Sequence, residues 1–194
     1  MCSNITTNYN IELSQLLIEN IDNDDTFNQL LFNGANINIQ NDIGWCILFE
    51  SISLKIEYKI KNFLEHGVNI NIRDKKGRNA LFWSVYFENL EATKILLSLN
   101  ADLLVSKKYD LHIFHYAVYK NNLPLVKYLL DTGMDIETKD SLDSTPLIYA
   151  VLYEKTDIIK YLIQNGANMH WMDSLGNCAN SLIKEQIKKL TTQN

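Results

Sequence analysis

A spacing of 33 residues runs through this chain. Gly34, Gly67, Gly133 and Gly166 keep it, and Asn100 stands in the remaining slot. Gly and Asn best tolerate the left-handed conformation that closes a helix, so one backbone geometry accounts for all five positions. The text around them recurs. Leu-Phe-Asn-Gly-Ala-Asn-Ile-Asn at 31–38 is followed by Leu-Glu-His-Gly-Val-Asn-Ile-Asn at 64–71, Leu-Ser-Leu-Asn-Ala-Asp at 97–102, Leu-Asp-Thr-Gly-Met-Asp at 130–135 and Ile-Gln-Asn-Gly-Ala-Asn at 163–168. Self-similarity at a fixed period of this length is the mark of a repeat architecture.

A second landmark keeps the same phase. Thr145-Pro146-Leu147-Ile148-Tyr149-Ala150 opens a helix, with Pro in the first turn where its missing donor does no harm. One period earlier stands His112-Ile113-Phe114-His115-Tyr116-Ala117, then Asn79-Ala80-Leu81-Phe82-Trp83-Ser84, then Cys46-Ile47-Leu48-Phe49-Glu50-Ser51. The small residues Ser51, Ser84, Ala117 and Ala150 let one helix approach the next. Leu48, Leu81, Phe114 and Leu147 share one slot and are expected in a common core. A second amphipathic segment follows each start, such as Leu125 to Leu130 and Ile158 to Ile163, with apolar residues at helical spacing.

These residues resemble the ankyrin repeat, which pairs a Thr-Pro-Leu-His-x-Ala helix start with a Leu-Leu-x-x-Gly-Ala helix end. The resemblance covers about residues 8–190. It implies an all-α solenoid of stacked antiparallel helix pairs, with short β-hairpin fingers around 36–44, 69–77, 102–110, 135–143 and 168–176. The expected organisation is a single domain over 1–194, with repeats at about 8–40, 41–73, 74–106, 107–139 and 140–172 and a C-terminal cap at 173–190. The first repeat lacks the helix-start motif, and the last segment ends in a polar helix around Lys184 to Leu190. Both departures suit capping units.

Composition narrows the function. The 194 residues are 46% apolar and carry a net charge of −5, which argues against a dedicated nucleic-acid binder. No basic segment followed by an apolar one opens the chain, and no apolar run approaches membrane-spanning length, so a cytoplasmic protein without membrane contact is expected. Cys2, Cys46 and Cys178 are too far apart for a zinc motif and odd in number for a disulfide framework. No phosphate-binding loop or hydrolase motif is present, so no catalytic residue and no cofactor is assigned. His112 and His115 have a helical spacing, but His115 falls on the ankyrin motif's own His slot and a structural role is expected. No metal site is assigned.

By the resemblance, partner contacts fall on finger tips and on the exposed side of each first helix. The tips contribute Asp42, Ile43 and Trp45, then Lys75, Lys76 and Arg78, then Lys108, Tyr109 and Leu111, then Ser141, Leu142 and Ser144. The helices contribute Ser53 and Leu54, Tyr86 and Phe87, Tyr119 and Lys120, Leu152 and Tyr153. The rings are either packed between helices or displayed on a concave face to a partner. The basic residues are either solvated tips or a surface for an acidic partner.

The expected function is therefore a non-enzymatic protein-binding module, a monomer when free, that occludes a protein partner in stoichiometric fashion. Lys outnumbers Arg 16 to 2, and 23 Asn and 22 Ile are present, a composition of AT-rich coding. Small ankyrin proteins of microbial type include bacterial immunity proteins that neutralise a cognate toxin, which is the sharper expectation. The alternative is a scaffold or host-directed effector that recruits its target.

Overall fold

A computed structural model describes residues 12–13, 15–106 and 110–192. The fold is all-α, and its residues form two compact units that meet in sequence at Asp102 and Leu103. In the first unit, helical residues 12–13 and 15–19 precede α1 (Asp24–Phe32), α2 (Ile47–Ser53), α3 (Ile60–Glu65), α4 (Ala80–Tyr86) and α5 (Leu90–Ser98). A single 3-10 turn, Glu57–Lys59, leads into α3. The second unit holds β1 (Leu104–Ser106), β2 (Leu111–His112), α6 (Ile113–Tyr119), α7 (Leu123–Asp131), α8 (Pro146–Leu152), α9 (Thr156–Gln164) and α10 (Ala179–Thr192).

Each landmark of the sequence is a helix start or a helix end. The second helices close on positive φ at Gly34, Gly67, Asn100, Gly133 and Gly166. The following N–H reaches back into the last turn, as from Ala35 to Leu30 O and from Ala167 to Leu162 O, both at 3.0 Å. The first helices close in the same hand without glycine, at Lys55, Glu88, Asn121 and Glu154. Asparagine does much of the capping: Asn79 accepts from Phe82 N–H, Asn89 from Ala92 and Asn122 from Leu125. Each such cap contributes about 1 kcal/mol.

The first helices pack on one another within each unit, α2 on α4 and α6 on α8. Ser51, Ser84, Ala117 and Ala150 are fully buried at those contacts, where a larger side chain would push the helices apart. Leu48, Leu81, Phe114 and Leu147 are buried too. The second helices add a strip of apolar residues to the same cores, such as Leu96 on α5 and Leu162 on α9.

The expected short fingers are present, and at four of the tips a backbone N–H crosses to the carbonyl four residues on, as from Asp74 to Arg78 O at 2.9 Å. Among the described residues, named strands are confined to β1 and β2, and Arg78, Met172 and Cys178 are isolated bridge residues, the last two paired with each other. Elsewhere the tip is a five-residue loop closed by a side chain. Asn41, Asp74, Asp140 and Asp173 recur at the 33-residue period or its double, and Oδ1 of each accepts two backbone N–H groups, from residues two and four further on, at 2.8–3.1 Å. The carboxyl or amide oxygen satisfies the donors that a ladder would otherwise satisfy, so the chain turns without strands. The fourth loop position has positive φ in all four: Gly44, Gly77, Asp143 and Gly176.

Candidate binding surface

Several of the positions expected to meet a partner lie in two aromatic clusters, one in each unit. In the first unit, Trp83 is the hub. Trp45 meets it edge to face at 4.8 Å, Phe87 stacks on it at 5.8 Å, and Tyr86 and Phe82 flank it at 5.4 Å. Such pairs add about 0.5–1.5 kcal/mol each beyond the area they bury. Trp45 therefore sits in the cluster, half-buried, with its indole N–H on Glu50. Tyr86 is 48% exposed and turns its ring outward from the same cluster.

Arg78 is not a free cation at a tip. Its Nε lies 2.6 Å from Asp74 Oδ2, and its guanidinium lies 4.2 Å over the Trp83 ring. Asp74 is buried, so this pair satisfies a carboxylate that would be costly alone. Lys75 and Lys76 are exposed, as is Ile43 beside them, and form the open basic part of the tip. On the neighbouring first helix Leu54 is exposed and Ser53 half-buried.

In the second unit, Leu111, Tyr116, Tyr119, Asp140, Ser141, Leu142, Tyr149 and Tyr153 line a cleft of about 380 Å³. Tyr119 meets Tyr153 edge to face at 4.9 Å, and Tyr153 meets Tyr149 at 5.8 Å. Tyr119 and Tyr153 are 49% and 44% exposed, and Leu142 is exposed at the rim. Burial, with the Asp140 hydrogen bond and charge next, pushes the Tyr149 hydroxyl well above the usual tyrosine range. Lys108 and Tyr109 lie outside the described residues.

Other expected positions stand elsewhere. Ser144 is not a tip residue: it is buried, and its hydroxyl donates to Asp173 Oδ2 at 2.7 Å. Lys120 is half-buried at the C-terminus of α6. Leu152 lines a separate groove with Ile159, Leu182 and Gln186. His115 is fully buried and donates Nε2–H to Ser144 O at 2.8 Å, and burial holds its imidazole below the usual histidine range. His112 Nδ1 accepts from the Phe114 N–H at the start of α6. Burial pushes the Cys46 thiol up to about 11. Among the described residues, no group of three or more His, Cys, Asp or Glu side chains is placed to hold a metal ion. No helix among them is long and apolar enough to cross a membrane.

A family model for ankyrin repeats, in three copies, matches residues 13–107 and again 100–173. The chain belongs to the ankyrin-repeat family. Ankyrin repeats are protein-binding modules, so protein–protein interaction is the function class of this chain. No curated protein matches the chain.

Tyr116, Tyr149, Asp140 and Trp83 were not among the expected site residues. A signal for the rings existed, since Trp83, Tyr116 and Tyr149 keep the 33-residue period.

Proposed function

We propose that this ankyrin protein blocks one protein partner by stoichiometric occlusion, and most specifically that it is a bacterial immunity protein neutralising a cognate toxin. The supporting observation is the exposure of Tyr86, Tyr119 and Tyr153, each near half, on helices whose buried sides already supply the core. Large rings left in water are characteristic of interface hot spots. Lys75 and Lys76 would orient an acidic patch of the partner during approach. In this reading the five repeats and the cap over 1–194 act as one monomeric cytoplasmic binder.

The test is the partner's own activity, measured with rising amounts of the purified chain. Loss of activity that saturates at one equivalent supports occlusion. A partner that binds and keeps its full activity contradicts it and assigns the chain to recruitment.

A further inference from the structure

The repeats differ at one slot beside the second-unit cleft. In the first unit, Asp74 Oδ2 is met by the guanidinium of Arg78, four residues on, and that guanidinium lies over the ring of Trp83. Two periods later the same three slots hold Asp140, Ser144 and Tyr149. The carboxylate and the ring are kept, and the cation between them is gone. Ser144 cannot replace it, because its hydroxyl is committed to Asp173.

The next loop shows that the carboxylate is normally answered from its own repeat. Asn177, four residues after Asp173, donates Nδ2 to Asp173 Oδ2 at 3.0 Å. Among the described residues, Asp140 Oδ2 receives only the Tyr149 hydroxyl, at 2.7 Å, while Oδ1 takes the Leu142 and Ser144 N–H groups. A carboxylate accepts about four hydrogen bonds, so the described residues leave room for one more donor on Oδ2. Among the described residues Asp140 has no ion pair. Its neighbour Lys139 is engaged over the Trp171 ring, 3.5 Å from the centroid.

We propose that the second-unit cleft receives an arginine side chain of the protein partner, its guanidinium on Asp140 and against the tyrosine rings, as Arg78 lies on Asp74 and Trp83 within the first unit. The proposal rests on the reading of the chain as a protein binder and names the chemistry its partner must present. A planar cation suits this site because it bonds a carboxylate and stacks on rings at once. The cleft walls are tyrosine and leucine, which take the side chain's methylene stem.

The full-length chain is titrated with N-acetyl-arginine-methylamide, and with the lysine and citrulline analogues, following the backbone resonances of Leu142 and Tyr153. The arginine probe is expected to saturate, with citrulline about tenfold weaker because it keeps the shape and loses the charge. Asp140→Asn is expected to reduce arginine to the citrulline level with the loop still closed, since Asn41 closes the equivalent loop with its amide oxygen, and with thermal unfolding lowered no further than in Tyr149→Phe. Equal binding of arginine and citrulline, equal binding of arginine and lysine, or full binding by Asp140→Asn would each overturn the proposal. The two readings fail separately. A partner captured equally by wild type and Asp140→Asn, with no arginine titration, discards the cleft and keeps the binder. Arginine titration without inhibition of any captured partner discards occlusion and keeps the cleft.

Discussion

The Tyr149 hydroxyl donates to Asp140 Oδ2 at 2.7 Å, in a loop whose counterpart two repeats earlier uses an arginine on the same oxygen. A hydrogen bond to a charged acceptor contributes about 1.5–3 kcal/mol where it is buried. Tyr149 is only half-buried, so Tyr149→Phe is expected to lower unfolding stability by about 1–2 kcal/mol, read from urea denaturation. Denaturation identical to wild type would show that Asp140 finds no benefit in that donor.

His115 makes the fold acid-sensitive. Burial holds the folded imidazole below its unfolded value of about 6.5, so the unfolded chain takes up a proton that the folded one refuses. This contribution to stability is complete above the unfolded value and is lost as pH falls below it, with a slope of up to about 1.4 kcal/mol per pH unit. The groups facing His115 are the Tyr149 ring at 4.8 Å, the His112 ring at 6.2 Å and the Asp140 charge. Denaturation midpoints at pH 7.5 and 5.5 are expected to diverge in wild type and to converge in His115→Gln.

Leu81 is fully buried on α4, in the core slot shared with Leu48. Leu81→Ala is expected to cost about 2–5 kcal/mol, the range for buried large-to-small changes. A cost below 1 kcal/mol, measured by denaturation, would mean that the slot does not carry the core.

Two glycines of like φ separate backbone conformation from steric contact. At Gly34, φ is +91° and an added Cβ meets open space, so Gly34→Ala is expected to cost about 1–2 kcal/mol, for the left-handed conformation alone. At Gly44, φ is +83° and the Cβ would lie 2.6 Å from Lys75 N and 2.7 Å from Asp74 Cα. Gly44→Ala is expected to cost about 3 kcal/mol or more, because the loop of the next repeat must also move. Equal losses in the two variants would contradict the close approach of those loops.

The helical frame was legible in the sequence because its markers are chemically narrow. Only Gly and Asn suit the left-handed helix ends, and only small residues suit Ser51, Ser84, Ala117 and Ala150, so a single period stood out. The finger loops were less legible because their markers are mixed. Asn41, Asp74, Asp140 and Asp173 do one job with two residue types, and Lys107 interrupts the series. The short fingers were expected, but not the side-chain oxygens that close their tips. Arg78 read as a tip charge because its partner, Asp74, lies across a loop, where linear spacing says nothing of which side chains meet. Tyr116 and Tyr149 each follow a buried motif position, His115 and Ile148, which leaves their place at the cleft unmarked in the sequence. The slot that holds Arg78 in the first unit holds the small, buried Ser144 in the second, a difference between repeats that their shared pattern conceals.

Partner capture tests the central claim most directly. Tagged wild-type chain and the Tyr86→Ala/Tyr119→Ala/Tyr153→Ala variant, matched for thermal unfolding, are used to capture proteins from the source lysate, and dissociation of the captured partner is timed. Each exposed aromatic hot spot removed costs about 2 kcal/mol or more of binding, so the variant is expected to release the partner at least 30-fold faster. Retention of the same partner at the wild-type rate would contradict the assignment of these ring clusters as the binding surface.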